Sequence, residues 1–256
     1  MTGYAALITG SSRGIGKAIA EALAREGFAI ALNAEAPSAE LEASVAGISA
    51  LGVKCVGLVA DVGDIGGHEA LLDAAEEALG PLTTLVNNAG VSVLKRGDLL
   101  NVHPDSYDRC MRINARGPFF LTQAWARRVL ARQRPAGLHH SVVTVSSSNA
   151  QAVSIARGEY CMSKVSAGMM AKLFAVRLGG DDIGSYEIQP GVIETDMTRP
   201  VHDDYVRRIR NGLTVAQRMG TPADIGSIAR TMATGQLAFC TGQSVQADGG
   251  LLIPRF

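Results

Sequence analysis

Short runs that are apolar at consecutive positions recur along this chain, each followed by a longer amphipathic stretch. The runs cover residues 5–9, 29–33, 53–60, 84–87, 142–146, 186–189 and 244–247. A strand with no polar side must be covered on both faces, as strands of a parallel sheet are. The intervening stretches 14–26, 38–51, 67–79, 104–133, 159–178 and 222–232 read as helices. Strands alternating with helices build right-handed βαβ units, which stack into a doubly wound α/β sheet. One such sheet accounts for all 256 residues, so a single domain is expected. The interval 195–220 is the one long stretch without a strand. It mixes Arg207, Arg208, Arg210 and Arg218 with apolar residues and is expected to form a lid-like segment. Thr221 before Pro222, with Asp224 in the first turn, marks a helix start. Asp105 as cap, or Pro104 as first residue, begins the helix at 104–133.

Charge narrows the function. Lys+Arg and Asp+Glu both number 24, so the net charge is zero and a generic nucleic-acid binder is excluded. At 47% apolar and 19% charged residues, a disordered chain is excluded too. The cysteines at 55, 110, 161 and 240 form no CxxC, so free thiols in a reducing compartment are expected, with Cys161 in the core. No apolar run reaches the ~18 residues of a membrane span. No basic segment followed by an apolar one stands near Met1, so the expected location is cytoplasmic. The histidines show no HExxH or paired spacing and no metal site is expected; His139 and His140 are placed on a loop.

The first strand runs into Thr9-Gly10-Ser11-Ser12-Arg13-Gly14-Ile15-Gly16 and then into a helical pattern. Gly10, Gly14 and Gly16 permit a tight turn and close backbone approach to a phosphate. The helix N-terminus then offers free N–H groups and its dipole to the anion. Such a turn alone also serves as an ordinary βα connection. At the first strand–helix junction of an α/β chain it points to a dinucleotide. An NAD enzyme usually places Asp or Glu at the end of the second strand, on the ribose 2′-hydroxyl. Ala34 stands there. Its lack of charge, with Arg13 in the loop, favours NADP; Glu35 argues for NAD, and NADP is the expected cofactor of the two.

Tyr160 and Lys164 lie at i and i+4, on one helix face. A nearby ammonium favours phenolate and brings a tyrosine, with its ordinary pKa of ~10, toward neutral acid–base work. Taken alone, the pair is an ordinary half-buried Tyr beside a solvated Lys. It is not alone, because a strand ends upstream in Ser146-Ser147-Ser148, on the rim where α/β ligands bind.

These segments resemble the short-chain dehydrogenase/reductase family over essentially the whole chain. Asp61-Val62 matches the family's adenine-binding turn. Asn87-Asn88-Ala89-Gly90 matches the segment that steadies the sheet and lines the cofactor site. Asn114 matches the fourth member of the catalytic tetrad. Pro190-Gly191, with Ile193 and Thr195, matches the nicotinamide end. The resemblance implies a single-domain Rossmann fold with seven parallel strands in the order 3-2-1-4-5-6-7. It implies Asn114, Ser147, Tyr160 and Lys164 as catalytic residues. Gly10, Ser12, Arg13, Gly14, Ile15, Gly16 and Ala34 would hold the cofactor, with Asp61, Val62, Asn88, Ala89, Gly90, Tyr160, Lys164, Pro190, Gly191, Ile193 and Thr195. The implied reaction moves the nicotinamide pro-S hydride to a carbonyl, or the reverse. Ser147 would orient the substrate oxygen, Tyr160 give the proton, Lys164 lower the Tyr160 pKa and bind ribose, and Asn114 hold a water leading to solvent.

Substrate choice is less legible. Segments 91–94, 148–153 and the region after Gly191 are small and weakly polar, without a carboxylate clamp. Residues 9–16 and 193–197 are similar to those of 3-oxoacyl-[acyl-carrier-protein] reductases. An acidic carrier needs a basic surface, yet Asp181 and Asp182 end the catalytic helix; Arg127, Arg128, Arg132 and Arg134 are the compensating candidates. An acyl-carrier-linked substrate and another small ketone, sugar or keto ester both stand. A non-catalytic nucleotide sensor on this fold usually loses part of the Tyr/Lys pair, and a hydrolase reading fails because Ser147 lacks a GxSxG elbow. The helices at 104–133 and 159–178 carry Phe119, Phe120, Trp125, Val129, Met169, Met170, Leu173 and Phe174 on more than one face, too much apolar surface for one sheet to cover. In the resembled family these helices and the last strand make a homotetramer, which is the expected assembly.

Overall fold

The computed structural model describes residues 3–255. Seven strands, β1 (Ala5–Ile8), β2 (Ala29–Ala34), β3 (Cys55–Val59), β4 (Thr84–Asn87), β5 (His140–Val145), β6 (Ile183–Pro190) and β7 (Ser244–Ala247), form one sheet. Its order is β3-β2-β1-β4-β5-β6-β7 and every pairing is parallel. The helices are α1 (Gly14–Arg25), α2 (Ala39–Ser49), α3 (His68–Leu79), α4 (Pro104–Met111), α5 (Gly117–Ala131), α6 (Gly158–Leu178), α7 (His202–Arg210) and α8 (Pro222–Ala233). This is the doubly wound Rossmann-type sheet read from the sequence.

Neighbouring side chains of β1 enter different cores, which is why the strand is apolar throughout. Ala6 and Ile8 pack with Ile19 and Leu23 of α1 and Ile225 of α8. Ala5 and Leu7 pack on the other face with Leu72 of α3 and Leu121 and Trp125 of α5. Strand order reverses between β1 and β4, and the crevice at such a switch point is where ligands bind in open α/β sheets.

Several boundaries differ from the sequence reading. Residues 104–133 do not form one helix: α4 and α5 are separated by a π-helical turn, Arg112–Arg116, with Asn114 at its centre. The Gly117 N–H reaches back to the Arg112 carbonyl, one residue further than in an α-helix. Pro118 explains the interruption, because it has no N–H for the carbonyl of residue 114, four positions earlier. His103 caps α4, its Nδ1 accepting from the Asp105 N–H at 3.3 Å. His140 is not on a loop; it opens β5 and is buried. Cys161 is half-buried on α6 rather than in the core. The expected start of α8 is present, with Thr221 and Asp224 bonding each other's main chain.

The interval 195–220 contains α7, and a parallel bridge between Ile193 and Gly220 closes its base. Three of the four arginines singled out there are engaged locally: Arg207 and Arg208 with Asp204, and Arg218 with Asp224 at 2.7 Å. Among the described residues, no helix is long and apolar enough to cross a membrane.

Candidate active site

A cleft of about 640 Å³ opens at the C-terminal ends of the strands. The turn after β1 gives it Gly10, Ser12, Arg13, Gly14, Ile15 and Gly16, and β2 ends on it at Ala34. Asp61 and Val62 follow β3, and Asn88, Ala89 and Gly90 follow β4. Ser147 follows β5, Tyr160 and Lys164 come from α6, and Pro190, Gly191, Ile193 and Thr195 close the far side. Of the residues expected to be catalytic or to hold the cofactor, only Asn114 lies off the wall.

The turn after β1 fits a dinucleotide phosphate. Arg13 precedes α1 without a capping side-chain bond and the first turn carries no acid, so no side chain caps the N–H groups that would bind an anion. The backbone approaches closely: a Cβ on Gly16 would lie 2.4 Å from the Gly10 carbonyl oxygen, and one on Gly10 would lie 2.7 Å from the Ala89 Cα. Asn88 Nδ2 donates to the carbonyls of Thr9 and Gly10 at 2.9 and 2.8 Å, tying the turns after β1 and β4 together. At the β2 end Glu35 also lines the cleft. Arg13 is shared between two carboxylates, Asp196 at 3.6 Å and Glu40 at 3.9 Å. Burial would raise the Asp61 carboxyl, but the Arg112 guanidinium at 2.6 Å and the Gly63 N–H hold it below the usual range.

The reactive group is packed around Tyr160. Ser147 Oγ accepts from the Asn149 N–H at 3.1 Å, and Ser147 shares the cleft wall with Tyr160. Of the neighbouring serines, Ser146 reaches the cleft wall but donates its hydroxyl to the Glu187 carboxylate, and Ser148 does not line the cleft. Lys164 Nζ donates to the Val145 carbonyl at 3.0 Å and lies 5.7 Å from the centre of the Tyr160 ring. Burial pushes this ammonium down to about 8, against the opposing charge of Glu187. Burial likewise pushes the Tyr160 hydroxyl upward, while the Ser147 hydrogen bond and the Arg157 charge pull it back. Loss of water outweighs both, so the Tyr160 hydroxyl is raised where the sequence reading expected Lys164 to lower it.

Asn114 sits behind this group. Its amide bonds both main-chain groups of Val91, at 2.8 and 2.9 Å, and Ser163 Oγ at 2.9 Å. Gly90 separates it from Lys164: a Cβ there would lie 3.2 Å from Asn114 Oδ1 and 3.3 Å from Lys164 Nζ.

Two charged residues at the site escaped the sequence reading. Glu187 is buried on β6, where it accepts from Ser146, Ser244 and Gln189 Nε2, the last at 3.0 Å. A lone carboxylate inside a strand covered on both faces was a readable signal, since buried charge needs partners. Arg157, just before α6, carried none.

The comparisons agree with this geometry. The profile of a family described as enoyl-(acyl carrier protein) reductase matches residues 10–252. The chain belongs to the short-chain dehydrogenase/reductase family. Versicolorin reductase 1 of Dothistroma septosporum is 31% identical to it, over 98% of this chain and 96% of that protein. A 3-oxoacyl-[acyl-carrier protein] reductase from Brucella melitensis, crystallised with NAD, superposes with a TM-score of 0.95 at 38% identity, covering 99% and 98% of the two chains. A putative 2-deoxy-D-gluconate 3-dehydrogenase from Agrobacterium tumefaciens with bound NADP gives 0.87 at 28% identity, covering 98% and 97%. This short-chain dehydrogenase/reductase is thus an NAD(P)-dependent oxidoreductase that interconverts ketone and secondary alcohol. Relatives so different in name leave its substrate open.

Proposed function

We propose that this enzyme reduces a small ketone, or oxidises the corresponding secondary alcohol, at the Ser147–Tyr160–Lys164 group. The observation that carries the reading is that Ser147, Tyr160 and Lys164 share one cleft wall, with the Lys164 ammonium 5.7 Å from the centre of the Tyr160 ring. A bound nicotinamide would supply or accept the hydride. Ser147 holds the substrate oxygen and Tyr160 gives that oxygen its proton, or removes it in the reverse direction. Lys164 keeps positive charge beside the ring and bonds the ribose. Asn114 positions this group by joining Val91 to Ser163, and its carbonyl, which Pro118 cannot bond, holds a water leading from Lys164 to solvent. The interval 195–220 acts as a lid on the substrate.

Within the nicotinamide pair we propose NAD. Arg13, the loop cation that favoured NADP in the sequence, is shared by Glu40 and Asp196, and Glu35 adds negative charge to the wall. A free small molecule fits better than an acidic carrier. Arg128 is paired with Glu69 and Asp73, Arg132 with Glu76, and Arg134 with the Asp181 carbonyl, so three of the four candidate cations are engaged within the chain.

The proposed assembly is a cytoplasmic homotetramer. Trp125, Val129 and Met170 are buried within the protomer and are not interface residues. The free face is instead Met162, Val165, Met169, Leu173 and Val176, at helical spacing along α6 and all largely exposed. A second copy of α6 would cover it, and β7, at the sheet edge, offers the second contact.

The test is nicotinamide absorbance over a panel of ketones and acyl thioesters, with both cofactors. Tyr160→Phe should abolish turnover and leave cofactor affinity within about threefold, because it removes only the hydroxyl. Turnover near the wild-type rate in that variant would remove Tyr160 from the chemistry.

A further inference from the structure

Tyr160 is joined to a chain of contacts that starts three residues before it. The Arg157 guanidinium lies 5.5 Å from the centre of the Tyr160 ring. Arg157 Nη2 donates to Asn149 Oδ1 at 2.8 Å. Asn149 is fixed in turn: its Nδ2 donates to the Ala152 carbonyl at 2.9 Å and its main-chain N–H to Ser147 Oγ at 3.1 Å. Ser147 lines the same cleft wall as Tyr160. Among the described residues, no carboxylate forms an ion pair with Arg157. Its guanidinium is therefore directed at the aromatic ring, at Asn149 and, through Nε at 3.5 Å, at Ser154 Oγ.

We propose that Arg157 is a positioning residue for the acid–base step, a second and permanent cation on Tyr160 that also fixes Ser147 through Asn149. This rests on the reading of Tyr160 as the acid–base group. A cation at the face of a tyrosine is attracted by the ring and attracted more strongly by the phenolate. The two cations beside Tyr160 are not equivalent. A guanidinium stays charged at any working pH, whereas burial brings Lys164 down to about 8. Above that pH Arg157 is the charge that remains. The other ionisable groups around Tyr160 are Cys161 and Lys164 on α6 and Cys110 on α4, with Glu187 on β6 acting on Lys164. The thiols oppose the phenolate when ionised, and the Arg157 charge favours it.

The test titrates tyrosinate absorbance in the cofactor-free protein. Subtracting the Tyr160→Phe spectrum isolates this residue among the five tyrosines. Arg157→Gln removes the charge but keeps an amide donor for Asn149, and Arg157→Lys keeps the charge. The Tyr160 transition should move to higher pH in Arg157→Gln and stay near wild type in Arg157→Lys. Arg157→Met, lacking both charge and donor, should move it at least as far as Gln. The acid limb of alcohol oxidation, which needs Tyr160 as base, should follow the same order. At pH 7 the oxidation rate of Arg157→Gln should fall about tenfold and recover as pH rises. A Tyr160 transition unchanged in Gln and Met would overturn the proposal. So would equal loss in Gln and Lys at every pH, which would make Arg157 a shaper of the turn only. Failure of the underlying reading shows separately, as turnover by Tyr160→Phe.

Discussion

Gly168 lies directly over the Glu187 carboxylate: a Cβ on Gly168 would fall 2.7 Å from Glu187 Oε1. Gly168 is one helical turn beyond Lys164 on α6, so the missing side chain makes room for a buried acid next to a buried ammonium. Ser146, Gln189 and Ser244 hold that carboxylate, so it cannot swing away. Gly168→Ala gains about 1 kcal/mol in helix propensity but loses about 1–3 kcal/mol to overpacking. The clash should win, lowering Tm by about 2–4 °C for each net kcal/mol. Thermal unfolding measures it, and an unchanged or raised Tm would show that Glu187 is not held.

Glu187 should also set the charge state of Lys164. Burial lowers the Lys164 pKa to about 8 and the Glu187 charge works against that lowering. Glu187→Gln removes the opposing charge, so Lys164 should lose its proton at lower pH than in the wild type. The chain has five lysines, and 13Cε labelling follows each in the cofactor-free protein. A Lys164 titration unmoved by the substitution would mean that Glu187 serves only its hydrogen bonds.

Cofactor choice should respond to Glu35. The carboxylate stands on the cleft wall one residue after β2, and the nearby Arg13 is already shared by two acids. Glu35→Gln should raise the NADP-to-NAD ratio of kcat/KM by about tenfold, equivalent to ~1.4 kcal/mol. Ala34→Asp should move the ratio the other way, since a carboxylate binds a 2′-hydroxyl and repels a phosphate. A ratio indifferent to both changes would place the 2′ position elsewhere.

Light scattering should give about four times the protomer mass of 26.7 kDa at micromolar concentration. Val176 is 87% exposed in the protomer, so Val176→Glu should change protomer stability by no more than ~0.5 kcal/mol. In the assembly it would bury a charge, and the particle should split. A monomer at all concentrations in the unmodified protein would exclude the α6 face as an interface; a dimer would leave that face standing and remove the contact at β7.

Much of this protein is determined by short-range spacing. Runs such as residues 5–8, apolar at every position, require cover on both faces, and their alternation with helices leaves the doubly wound sheet as the economical solution. Tyr160 and Lys164 share a helix face because 3.6 residues make a turn. Pro118 already carried the break that centres a π turn on Asn114, although the hydrophobic pattern runs through it unchanged. What depends on distant segments only the tertiary structure decided. Glu187 meets Lys164 because α6 docks over β6, and Trp125 turns inward while Val176 stays outside because one face of each helix meets the sheet. Arg13 looks like a phosphate ligand in the chain, yet folding brings Glu40 and Asp196 to it. Charge and proton affinity follow from burial and from neighbours far apart in sequence, and neither is set by spacing along the chain.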